Sequence, residues 1–182
     1  MLALGLAVGA VAALLDQASK MAVLAYFGET GCANRLVPVT GFFDLVLTCN
    51  RGVSFGFFNQ PGEPALGFWI FSALATVIVL VLAVWLYRVR SAFLAVAIGL
   101  IIGGAIGNVV DRLRLGGVID FLNFHLPNAA CRSGFAGVLD GCWPAFNAAD
   151  SAICLGVAAM LLDGLLSRRD APQAKGREDL SR

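Results

Sequence analysis

SAFLAVAIGLIIGGAIGNVVDRLRLGGVIDF, residues Ser91–Phe121, is the stretch that decides how this chain folds. From Ser91 to about Val110 it carries no charge, and about 20 such residues suffice to cross a bilayer as a helix. Gly99, Gly103 and Gly107 recur at four-residue spacing within it. They form a small-residue stripe that lets a neighbouring helix approach closely. Asn108, Asp111 and Arg112 follow at i, i+3 and i+4, so they share one face at the end of the span. The bland reading of that cluster is a hydrogen-bonding network that anchors the following loop. Asp120 stands a few residues on, between the apolar side chains Ile119 and Phe121.

The same character runs through the whole chain. Its 182 residues are 59% hydrophobic and only 14% charged, with a mean hydropathy of +0.82. A soluble domain has about 25% charged residues, and one of this size exposes too much surface to hide the surplus. The composition excludes a cytosolic enzyme, a disordered chain and a nucleic-acid binder, and points to a membrane protein. A net charge of +1 implies no polyanionic partner.

Three further stretches are long and apolar enough to span: Met1 to about Phe27, about Ala65 to Tyr87, and about Ala149 to Leu166. Arg88 and Arg90 fill the short connection between the second and third spans, and Arg168, Arg169, Lys175, Arg177 and Arg182 follow the fourth. The cation density places that connection and both termini in the cytoplasm. The long loops 28–64 and 112–147 then face outward. The first span reads as retained rather than cleaved, because it lacks a basic n-region and is interrupted by Asp16 and Lys20. Residues 1–167 thus read as a single four-span domain. Residues 168–182 read as a polar, disordered cytoplasmic tail.

The first outer loop carries FFDLVLTCN, in which Phe43, Leu45, Leu47 and Cys49 alternate with Asp44, Val46, Thr48 and Asn50. Such alternation predicts strand, here a small sheet within Val37–Phe58 lying on the membrane surface, with Phe55, Phe57 and Phe58 directed to lipid. Five cysteines occur without metal-ligand spacing. Cys131 and Cys142 flank a Gly-rich insert and are the candidate disulfide pair. Cys154, inside the fourth span, reads as inert packing.

Charges are costly in lipid, so their positions carry the chemistry. Asp16 and Lys20, four residues apart, share a helix face as an internal ion pair, a reading favoured over direct catalysis. Asp150 opens the fourth span, and Asn147, three residues earlier, is placed to cap it. If Asp120 and Asp150 meet, repulsion and desolvation make them share one proton. One carboxylate then serves as base toward a water and the other as acid toward a carbonyl oxygen, the requirement of an aspartic protease. Spacing alone does not bring them together. Other nucleophile systems fare worse. His125 is the sole histidine, and no GxSxG, GxxxxGK[ST] or HExxH pattern occurs.

Four segments together resemble the lipoprotein signal peptidases, also called signal peptidase II. They are DQASK (Asp16–Lys20), NRGVSFG (Asn50–Gly56), GGAIGNVVDRLRLGGVIDF (Gly103–Phe121) and WPAFNAADSAI (Trp143–Ile153). The resemblance implies a mainly α, polytopic fold: four transmembrane helices with a small periplasmic β-sheet, in a bacterial inner membrane. It implies an intramembrane aspartyl endopeptidase with Asp120 and Asp150 as catalytic residues. Asp16, Lys20, Asn50, Gly52, Asn108, Asp111, Arg112 and Asn147 would bind substrate or support the site. The implied substrate is a diacylglyceryl-modified prolipoprotein cut before its lipidated cysteine, and the implied inhibitor is globomycin. The implied partners are that substrate and membrane lipid, with no nucleic acid, no metal, no cofactor and a monomer by default. Two departures stand out: a long Leu122–Cys142 stretch, and an N-terminus without the usual basic residues. The rival expectations are a small proton-coupled transporter, with Asp16, Lys20 and Asp111 as relay, and a non-catalytic scaffold.

Overall fold

The structure is a computed structural model that describes residues 1–51, 66–127 and 141–169. The elements run α1 (Leu2–Phe27), β1 (Arg35–Pro38), β2 (Phe43–Asn50), α2 (Leu66–Arg88), α3 (Ala92–Leu115), β3 (Val118–Phe124) and α4 (Ala148–Arg169). All four helices are long and apolar enough to span a membrane. Their outward faces are apolar: Leu14, Leu80 and Leu161 are 70%, 61% and 62% exposed. Such surfaces suit lipid and not water.

Helix α3 is the hub, packed against α1, α2 and α4. The expected glycine stripe is the reason. A Cβ on Gly99 or Gly103 would collide with the α1 backbone at Gly5 and Gly9, and one on Gly104 with the α4 backbone at Ala149. The matching glycines on α1, Gly5 and Gly9, were not foreseen. Away from the stripe, Leu82, Leu86, Ala95, Ile98, Ile101 and Ile102 fill the α2–α3 contact.

Helix α3 is longer than its uncharged run predicts. It continues to Leu115 and ends at Gly116 with φ 71°, so the second outer loop starts at Gly116 rather than at residue 112. Asp111 and Arg112 do not end it because they find polar partners in the bundle. Ser91 caps its other end, accepting the Leu94 N–H at 3.3 Å. Helix α1 ends at Gly28, also left-handed at φ 68°.

The sheet is antiparallel in the order β1-β2-β3, at the end of the bundle where α1 and α3 finish and α4 begins. Strand β2 fulfils the FFDLVLTCN expectation, but its alternation is broken. The register shifts between Leu45 and Thr48, and Val46 and Leu47 are both buried. Asp44 is buried beside His125, whose Nε2 lies 3.3 Å from its carboxylate. Strand β3 was not expected. Val118, Ile119, Asp120 and Phe121 are all buried, so it carries no alternation to read. Isolated bridges Leu122↔Phe146 and His125↔Cys142 close the base of the following loop.

Cys32 and Cys49 form a disulfide, a pairing the cysteine spacing does not reveal. Cys142 is also disulfide-bonded. Cys131 lies outside the described residues, as do Gly52, the aromatic run Phe55–Phe58 and residues 170–182. Cys154 is free, and it is exposed on α4 rather than packed inside.

Candidate active site

The site grows from the start of α4. Its first N–H groups have no partner within the helix. Asn147 accepts the Asp150 N–H through Oδ1 at 3.0 Å, and Asp150 accepts the Asn147 N–H through Oδ2 at 3.2 Å. The Asn147 cap is the one its spacing predicts, and the return bond from the Asn147 N–H to Asp150 makes it a reciprocal capping box. The Ala149 N–H goes elsewhere, to Asp16 Oδ1 on α1 at 2.9 Å. Asp16 is fully buried, and a Cβ on Gly107 would strike its carboxylate. The third glycine of the α3 stripe therefore makes room for a carboxylate rather than for a helix.

Lys20 lies at the centre. Its ammonium reaches Asp16 Oδ2 at 2.8 Å, Asp111 Oδ2 at 2.8 Å and Asn108 Oδ1 at 3.1 Å. Those contacts use all three of its donors. The expected internal ion pair is present and is one arm of a three-way junction between α1 and α3. Asp111 in turn accepts the Ile119 N–H at 3.1 Å, which fixes β3 one residue before Asp120. Gln17, beside Asp16 in DQASK but not singled out there, donates to Asp111 Oδ1 at 2.9 Å and to the Gly107 carbonyl at 3.2 Å. Its Oε1 accepts from Arg114 at 3.2 Å.

Asp120 and Asp150, 30 residues apart in sequence, both come to Asn147. Asn147 Nδ2 donates to Asp120 Oδ1 at 2.7 Å and to the Ile119 carbonyl at 3.1 Å. Asn108 Nδ2 donates to Asp150 Oδ1 at 2.9 Å. Asn50, at the end of β2, hydrogen-bonds Asp120 through its side chain. Arg112 donates to the Asn108 carbonyl at 3.3 Å and lies in the field of Asp150, Asp120 and Asp111. Burial pushes the Asp120 carboxyl up to about 7, and the Asp150 charge adds to the rise. The Asn50 and Asn147 hydrogen bonds and Lys20 pull the other way.

Of the residues singled out in sequence, Asp16, Lys20, Asn50, Asn108, Asp111, Arg112, Asp120, Asn147 and Asp150 thus meet at one end of the bundle. Gly52 lies outside the described residues. Among the described residues no cluster of His, Cys, Asp or Glu could hold a metal ion.

Four helices long and apolar enough to span a membrane, with Asp120 and Asp150 gathered at one end of the bundle, define a multi-pass membrane protein. The family model described as signal peptidase (SPase) II matches residues 8–166. A lipoprotein signal peptidase of Rhodopseudomonas palustris (strain TIE-1) is 40% identical over 172 residues, covering 94% of this chain and 96% of the relative. One of Azoarcus sp. (strain BH72) is 47% identical over 163 residues, covering 88% and 81%. A bacterial membrane enzyme solved by the in meso method shares the fold, with a TM-score of 0.66 at 20% identity over 95% of this chain and 94% of that one. The chain belongs to the signal peptidase II family and is a membrane peptidase.

Proposed function

We propose that this peptidase removes the signal peptide from diacylglyceryl-modified prolipoproteins, cutting before the lipidated cysteine with Asp120 and Asp150 as an aspartyl dyad. The substrate class follows from the names of the relatives, all of them lipoprotein signal peptidases over most of this chain. The observation that carries the dyad is Asn147, which donates to Asp120 at 2.7 Å while exchanging cap hydrogen bonds with Asp150.

The dyad holds one proton between its two members. Burial and the Asp150 charge favour that proton on Asp120. Asp150 takes a proton from a water, whose oxygen attacks the scissile carbonyl carbon. Asp120 gives its proton to the carbonyl oxygen. The tetrahedral diol then collapses: one diol hydroxyl returns its proton to Asp120, the C–N bond breaks, and the amine leaves with the proton that Asp150 took up, so the acid product forms and the dyad is back to one proton on Asp120. A helix buries its carbonyls in its own hydrogen bonds, so the signal peptide enters from lipid and unwinds at the cut site. Lys20 has no donor left for substrate, and its part is to brace α1, α3 and β3. Asp16, Asn108, Asp111, Arg112 and Asn147 support the dyad in the same way.

The site faces outward across the bacterial inner membrane, with both termini in the cytoplasm. The disulfide Cys32–Cys49 and the bonded Cys142 lie at the sheet end, and disulfides form and persist in an oxidising compartment, which supports this orientation. Arg88 and Arg90 lie at the opposite end of α2 and α3.

The test is cleavage of a lipidated prolipoprotein by purified wild type, Asp120→Asn and Asp150→Asn, with and without globomycin. Both variants lose turnover by about 10²-fold or more, the scale of one general acid or base. Wild-type rates in either variant would remove the dyad assignment.

A further inference from the structure

The Cys32–Cys49 disulfide touches no candidate substrate group, yet it is attached to the catalytic strand pair. Cys49 immediately precedes Asn50, and the two close β2 opposite Ile119 and Val118. Beyond the bulge after Leu45, only three register pairs hold this end of β2: Thr48↔Asp120, Cys49↔Ile119 and Asn50↔Val118. The contact is tight. A Cβ on Gly117 would run into Cys49 Sγ and would sit 3.3 Å from the Asn50 carbonyl oxygen. The other half, Cys32, packs on the apolar cluster of Val23, Leu47, Ile119 and Phe121. The bond therefore ties the segment after α1 to the residue whose neighbour contacts Asp120.

We propose that the Cys32–Cys49 disulfide is a positioning element for peptide cleavage: it pins the end of β2 so that the Asn50 side chain stays on the Asp120 carboxylate. The proposal rests on the dyad reading above. Asp120 is faced by Asp150 and Asn147 from the start of α4, Lys20 from α1, Arg112 and Asp111 from α3, and Asn50 from β2. Of these contacts, the disulfide bears directly on Asn50 alone. Asn50 stabilises the ionised carboxylate and so lowers its affinity for a proton. Releasing the tether weakens that hydrogen bond, and the dyad then keeps its shared proton to higher pH.

A general loss of structure lowers turnover at every pH. A lost Asn50 contact also moves the alkaline limb of the rate profile. The experiment compares cleavage of a lipidated prolipoprotein by wild type, C32S/C49S, N50A and the triple variant across the pH range in which Asp120 titrates. The limb moves upward by about one pH unit in C32S/C49S and in N50A, the worth of a hydrogen bond to a charged group. The triple variant moves no further than N50A, because both changes act through one contact. Dithiothreitol reduction of folded protein in a C131S/C142S background, which leaves Cys32–Cys49 to be reduced, gives the same shift, with two protein thiols formed as the dithiol closes to its cyclic disulfide. That arm decides the matter if C32S/C49S fails to fold. A uniform drop in rate with an unmoved limb, or an additive shift in the triple variant, overturns the proposal. An Asp120→Asn variant that still cleaves overturns the dyad reading instead, so the two failures are told apart.

Discussion

The Asp16 carboxylate accepts the backbone N–H of Ala149 at 2.9 Å, across 133 residues of chain. One oxygen closes the first turn of α4 and the other holds Lys20 at 2.8 Å. A carboxylate at a helix N-terminus also meets the positive end of the helix dipole. This one side chain joins the start of the helix that carries Asp150 to the junction that holds α3 and β3.

Removing Asp16 should therefore cost more than a pair of hydrogen bonds. Asp16→Ala leaves the buried Lys20 ammonium one partner short and the Ala149 N–H unpaired. Breaking such a buried pair costs about 3–5 kcal/mol. Thermal unfolding in detergent should show a large drop in Tm, together with loss of cleavage.

Asn147 performs two tasks that one substitution separates. Asn147→Ser keeps an oxygen to cap the Asp150 N–H, adds no charge, and loses the Nδ2 donor to Asp120. Turnover should collapse, with stability changed less than in Asn147→Ala, where the cap itself, worth about 1 kcal/mol, is lost as well. Parallel melts and cleavage rates check the difference.

The pH dependence follows from Asp120. Its folded-state carboxyl is raised from 3.8 to about 7, first by burial and then by Asp150. Between those values the folded protein holds more protons than the unfolded chain, so stability falls as pH rises through that window. Cleavage should likewise fall as pH rises through about 7, where the dyad loses its shared proton. Asp120→Asn should flatten the stability slope, which melts across that window measure directly.

The helix contacts give a test independent of chemistry. Gly103→Ala places a Cβ against the Gly9 backbone and 2.8 Å from Ala12 Cβ. Such overpacking costs about 1–3 kcal/mol. Gly164→Ala meets nothing within 4 Å and should be neutral or slightly stabilising. Both belong in the same melting series.

Hydropathy located the four helices to within a few residues, because spans are set by length and apolar content alone. Residues on one helix were equally legible. The i, i+4 spacing paired Asp16 with Lys20, and the N-x-x-D spacing capped α4. Contacts between elements were not. Nothing in DQASK says that Asp111 completes the Lys20 site, since that depends on how α1 and α3 cross. Strand β3 hid because it is buried on both faces, and the Cys32–Cys49 pair because spacing does not fix disulfide connectivity. The asparagines that gather Asp120 and Asp150 were each visible in a motif, but their convergence exists only in the fold.

The loop between β3 and α4 is closed at its base before the dyad is reached. Leu122 pairs with Phe146, His125 with Cys142, and Asn147 then caps the helix. The Leu126 N–H donates to the Gly141 carbonyl at 2.7 Å, so the two flanks are buttoned to each other as well. The strand that brings Asp120 and the turn that leads into Asp150 are thus stitched side by side, and the two carboxylates are delivered on one seam rather than by two independent arms.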